Sequence, residues 1–191
     1  VNYLAHLFLA DDTPESLIGN LLGDFLKGLD REQYSISIQQ GIKLHLKVDA
    51  YTDSHQIVRE AKQLISLKRR RYAGVLIDVF YDHFLAKHWT NYSSMKLKSF
   101  TQRVYAVLWQ NQLILPDRIR KFLPRMIEQD WLVSYQEMSG IEHALNRLAQ
   151  RAKNGNVFAG SVEELKAHYQ ELDLSFQIFF PELVNYVKSQ S

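Results

Sequence analysis

Cysteine is absent from the 191 residues, which excludes disulfide staples and thiolate metal sites and leaves imidazole and carboxylate to hold any ion. Proline and glycine are scarce, at four and eight, and no Asn-Gly or Asp-Gly pair stands between alternating runs to announce a hairpin. Long apolar stretches are missing too. The best of them, residues 73–80, is cut by Gly74 and Asp78, well short of the roughly 20 residues of a membrane span. Nor is there an excess of one charge: 23 Lys and Arg against 21 Asp and Glu do not mark a nucleic-acid partner carried by bulk charge. The opening Val1-Asn2-Tyr3-Leu4-Ala5-His6 has neither the basic lead nor the cleavage pattern of a signal peptide. The expectation is a cytoplasmic protein with no membrane and no nucleic-acid partner.

What is present favours helices. An apolar fraction of 46% suffices for one core, and we expect a single all-α domain over residues 1–191, a helical bundle. A short buried helix is expected over 2–10. Thr13-Pro14 reads as an N-cap with proline at the first helical position, opening a helix through Lys27 that Gly28 stops. Residues 32–67 permit one long helix or two shorter ones, and 68–89 a further apolar helix. Leu44, Leu46, Val48 and Ala50 alternate with polar neighbours as a strand would, but no partner strand lies within reach, so helix is preferred. Helices are also expected over 95–111 and 117–139, the second kinked at Pro124, with a break allowed at Gly140. Lys153-Asn154-Gly155-Asn156 reads as a loop. Ser161 with Glu164 resembles a capping box that starts a last helix, which Pro181 bends or ends.

The chemistry-bearing side chains recur four residues apart within apolar segments, which places each set on one helix face. The sets are Asn2 and His6; Asn20 and Asp24; His45, Asp49 and Asp53; and Asp78 and Asp82, with His83 adjacent. Gly19 and Gly23 flank the second set in a stripe of small residues that would let a helix or ligand approach closely. A carboxylate in so apolar a setting costs several kcal/mol unless paired or bound to a cation. Taken singly, His6, Asp53, His55 and His88 read as structural. Together, acids and imidazoles from four segments point to a metal centre between facing helices. Carboxylates with imidazole suit Mn²⁺ or Mg²⁺, and phosphoester hydrolysis is the chemistry such an ion supports. Lys27, Arg59 or the run Arg69, Arg70, Arg71 would offset charge on the phosphate.

In order and spacing, Asn2-Tyr3-Leu4-Ala5-His6-Leu7, Gly19 through Phe25, Gly41 through His45, Asp49 with Thr52-Asp53, and Asp78 through Leu85 with His88-Trp89 resemble bacterial acyl carrier protein phosphodiesterase. Ala167-His168-Tyr169 and Phe179-Phe180-Pro181 are similar to the family's C-terminal pattern. The resemblance implies an all-helical, HD-phosphohydrolase-like fold and Mn²⁺-dependent hydrolysis by metal-activated water. The bond implied is the phosphodiester joining 4′-phosphopantetheine to a serine of holo acyl carrier protein. It implies Asp24, His45, Asp78, Asp82 and His83 as the metal-centred group, with His6 and Asp49 as further ligands or orienting residues, and Asp24, Asp82 and His83 as catalytic. An acidic carrier protein would dock on the basic segments. The order Asp82-His83 reverses the usual His-Asp dyad of HD enzymes. Two other readings stand beside this one: a metal-dependent phosphatase or phosphodiesterase for a nucleotide or other small phosphoester, and a non-catalytic helical module for an acidic partner.

Overall fold

In the computed structural model, which describes residues 1–151 and 155–190, the all-α expectation holds, with no strand among the described residues. The α-helices are α1 (Tyr3–Leu9), α2 (Pro14–Leu22), α3 (Ile36–Ser54), α4 (Gln56–Leu64), α5 (Ala73–Lys87), α6 (Leu97–Gln110), α7 (Asp117–Glu128), α8 (Trp131–Ser134), α9 (Met138–Arg151), α10 (Val162–Ala167) and α11 (Tyr169–Lys188). Short 3₁₀ turns join several of them. No described helix is long and apolar enough to cross a membrane. Lys153 and Asn154 of the expected loop lie outside the described residues.

Thr13 caps α2 as its sequence suggests, its Oγ1 accepting from the Ser16 N–H at 3.2 Å. The α-helix stops at Leu22 rather than Lys27, because the chain tightens into a 3₁₀ turn over Gly23–Phe25. Gly28 then takes the positive φ of 78° that glycine tolerates best. The alternating segment is helical. Ile38, Ile42, His45, Val48 and Thr52 form the buried stripe of α3, whereas Leu46 is 40% exposed, as a period near 3.6 requires.

α5 starts at Ala73 instead of Lys68, since the preceding residues form a 3₁₀ turn over Arg70–Tyr72. Its buried positions run almost around its circumference, the mark of a central helix. On one side Tyr81 and Phe84 interlock with Phe176 and Phe179 of α11; on another, α5 packs against α1. Pro181 does not end α11, which continues to Lys188. Phe179, Phe180 and Leu183, buried on both sides of the proline, hold the helix together across the one backbone bond that proline removes.

The break expected at Gly140 falls earlier, at Asp130, which adopts a left-handed conformation with φ 42°. Gly140 sits inside α9, where a Cβ would lie 1.8 Å from the Ser134 carbonyl oxygen. Ser161 does not cap α10. Its hydroxyl donates to the Phe158 carbonyl at 2.7 Å, and Glu164 instead accepts from the Ser66 N–H at 3.0 Å and from Arg69.

The closest helix crossing joins α2 to α3. A Cβ on Gly19 would stand 2.3 Å from the Ile38 carbonyl oxygen, and one on Gly41 would stand 2.9 Å from that of Ser16. Backbone therefore meets backbone, and the C-terminal end of α2 is brought over the middle of α3.

Candidate metal centre

That crossing seats one imidazole. The His45 ring fills the space that a side chain at Gly23 would take, with Cγ 2.1 Å from the ideal Cβ position. Its Nδ1–H donates to the Asn20 carbonyl at 2.7 Å. Nε2 is thereby aimed at Asp49 Oδ2, 3.2 Å away, and Asp24 Oδ1, 3.8 Å away. From α1, His6 stacks on His45 with ring centroids 3.7 Å apart and brings its own Nε2 within 3.0 Å of Asp49 Oδ1. Both imidazoles are buried, and His6 Nδ1 has no hydrogen-bond partner. Asp78 on α5 pairs with the amino group of Val1.

The electrostatics follow from this crowding. Burial, helped by the neighbouring His45, pushes His6 down to about 4, so its ring is neutral near pH 7. Burial would lower His45 as well, but the hydrogen bond to Asp49 and the charges of Asp24 and Asp49 outweigh it and raise the ring. Burial would raise Asp49, yet the two imidazoles hold it well below the usual carboxylate range. Asp24 keeps 38% of its side chain open, but the protein crowded around it, with the charges of Asp49 and Asp78, pushes it up to about 6 against the pull of His45.

These donors fit a divalent ion. With Nδ1–H committed to Asn20, the Nε2 lone pair of His45 faces carboxylate oxygens, and the pair repel unless positive charge lies between them. A proton supplies that charge, which is why the ring is raised; a metal ion is the other way to supply it. Suitable donor atoms of His6, His45 and Asp49 lie within 4.8 Å of one another. The 3.0 and 3.2 Å spacings match those of neighbouring ligands, about 3 Å apart when bonds of ~2.1 Å meet at right angles.

A family model described as acyl carrier protein phosphodiesterase matches residues 1–183. The chain belongs to this family. Proteins bearing that name resemble it over nearly their whole length: one from Photorhabdus laumondii at 31% identity over 96% of this chain and 93% of its own, one from Serratia proteamaculans at 34% over 100% and 99%, and one from Escherichia coli O6:H1 at 37% over 96% of each. No solved structure matches the chain.

In this acyl carrier protein phosphodiesterase family member, four of the residues singled out in the sequence gather, His6, Asp24, His45 and Asp49, and Asp78, paired with the amino group of Val1, stands near enough for its charge to act on Asp24. The structure does not bring Asp82 and His83 to them. Asp82 is fully buried and its oxygens accept from the N–H groups of Asn2, Leu4 and Ala5 at 3.3, 2.8 and 3.0 Å. α1 has no side-chain cap from its own N-terminus, so Asp82 caps it from a distance. Burial pushes this carboxyl up to about 7, against those bonds. His83 faces another way, with Nδ1 2.7 Å from the Tyr135 carbonyl and Nε2 2.9 Å from the Tyr169 hydroxyl.

The basic residues divide likewise. Arg69 is spent on Glu164 at 3.0 Å and on the carbonyls of Val157 and Ala159 at 2.9 Å each. Arg70 folds back on Gln63 and the Ile65 carbonyl. Arg71 and Lys27 are exposed, and Arg59 reaches the Asp53 carbonyl at 3.4 Å. Asp53 pairs with Lys62, His55 with Glu182 and His88 with Asp173. Sequence reasoning missed the Asn20 carbonyl, a backbone group that carries no residue signal. Cavities of about 570 Å³ beside Ser16, Lys43 and Lys47, and of about 600 Å³ beside Trp109 and Ile127, contain none of the cluster.

Proposed function

We propose that the protein uses a divalent metal ion to hydrolyse the phosphodiester linking 4′-phosphopantetheine to a serine of holo acyl carrier protein, releasing apo carrier protein and free 4′-phosphopantetheine in the cytoplasm. The observation that carries the metal dependence is the convergence of two buried imidazoles on one carboxylate, with two further carboxylates beside them. The family supplies the carrier-protein substrate.

His6, His45 and Asp49 would hold the ion, with Asp24 and Asp78 completing the acidic wall; Mn²⁺ is the favoured ion and Mg²⁺ the second choice. When bound, the ion supplies charge neutralisation at a phosphoryl oxygen and lowers the pKa of water. The chain's own residues orient and buffer. Asn20 and Gly23 fix the rotation of His45, Asp49 bridges both rings, and Asp24, at the open edge, is the carboxyl placed to take or give a proton. Asp82 acts on the site through α1, whose start it anchors, and so positions His6.

The test is incubation of the full chain with holo acyl carrier protein and Mn²⁺, with and without chelator, followed by mass spectrometry. Chelator-sensitive loss of the phosphopantetheine arm is expected. An intact arm in the presence of Mn²⁺ would contradict the reading.

A further inference from the structure

Lys62 stands on α4 with its side chain 22% exposed and its amine 2.7 Å from Asp53 Oδ1. Gly74 lies on another side of the same amine: a Cβ there would be 3.7 Å from Nζ, so the missing side chain keeps that face clear. Both neighbours lead back to the cluster. Asp53 follows Asp49 by one turn on α3, and Gly74 precedes Asp78 by one turn on α5. Lys62 thus places its ammonium against two residues that each stand one helical turn, about 5.4 Å, along their helix from Asp49 and from Asp78. The Asp53 charge is near enough to contribute to raising the Asp78 carboxyl, after burial and Asp49. The other basic side chains near this rim are less suited. Arg69 and Arg70 have their donors engaged by the protein itself, and exposed Arg59 turns its Nε to the Asp53 carbonyl at 3.4 Å.

We propose that Lys62 is a catalytic residue that exchanges Asp53 for the phosphoryl oxygens of the bound phosphodiester; this rests on the phosphodiesterase reading above. A phosphodiester brings one negative charge, and further charge gathers on its oxygens in the transition state, where a half-buried ammonium is worth most. Asp53 holds the amine in place beforehand. Its carboxylate is 74% exposed, so the pair contributes little to stability and is exchanged at little cost.

Two variants separate this from a plain surface ion pair: Lys62→Met and Asp53→Asn, each as the full Mn²⁺-loaded chain with holo acyl carrier protein. Lys62→Met is expected to lower kcat about 10²-fold with KM within about threefold, and to weaken inhibition by inorganic phosphate about tenfold. Lys62→Arg should recover part of the rate. Asp53→Asn, which removes the carboxylate that competes for the lysine, should strengthen inhibition by inorganic phosphate in the wild-type lysine background, and Mn²⁺ affinity should be the same in all. If both variants instead lower the melting temperature alike and leave kcat unchanged, Lys62 only closes the α3–α4 corner and the inference is overturned. Failure of the phosphodiesterase reading shows separately, as a wild-type protein that releases no arm with Mn²⁺, and would remove this inference with it.

Discussion

Two groups of acid and imidazole lie side by side in this molecule and differ in how their polar atoms are satisfied. Around Asp82 and His83 the bonding is complete: three backbone N–H groups serve the carboxylate, and a carbonyl and a hydroxyl serve the ring. Around His6, His45, Asp24 and Asp49 it is not: His6 Nδ1 has no partner, one carboxylate is shared by both rings, and Asp49 and Asp78 help to raise Asp24. A polar group in a core is stable when its partners come from the protein. One left without a partner, or crowded by like charge, marks a place that something else can complete. The first group supports α1; the second has the chemistry of a site.

Breaking each group should therefore give different outcomes. Asp49→Asn removes the carboxylate shared by both rings, and Mn²⁺ affinity should fall by at least about 10²-fold with the fold intact, as calorimetric titration and circular dichroism would record. Asp82→Ala strands buried N–H groups at the start of α1 and should cost about 3 kcal/mol of stability in urea unfolding. Gly23→Ala places a methyl where the His45 ring lies; about a tenfold loss of Mn²⁺ affinity is expected. Tyr169→Phe removes only one partner of His83 and should cost about 1 kcal/mol, with Mn²⁺ affinity unchanged.

The smallest effect sharpens the comparison through pH. The Asp24 carboxyl lies at about 6 in the folded metal-free protein, above its usual 3.8. Between those values the folded state holds more of that proton than the unfolded one, so this group's contribution to stability declines as pH rises from 4 to 6. Metal-free Asp24→Asn should lack that decline, and the difference between its unfolding curve and that of wild type across this window measures it.

Much of this was legible in the sequence. The four-residue spacing of His45 and Asp49 placed them on one face, and the small residues around Asp24 announced the close approach that Gly19, Gly23 and Gly41 make. The same spacing puts Asp78 and Asp82 on one face, but on a helix buried nearly all round a shared face does not say which neighbour each residue meets. Asp78 stands near the cluster while Asp82, one turn on, ends beneath α1. The run from Arg69 to Arg71 looked like a docking patch, but Arg69 and Arg70 turn inward to carbonyls contributed by segments that no local pattern names. Lys62 gains its place only because α3 and α4 meet at a sharp corner near His55.

Titration of Mn²⁺ followed by electron paramagnetic resonance, on wild type, His45→Gln and His83→Gln, tests most directly which of the two groups is the metal centre. Binding by wild type and His83→Gln, and its loss in a folded His45→Gln, is the predicted result. Undiminished binding by His45→Gln, with loss in a folded His83→Gln, would contradict the account.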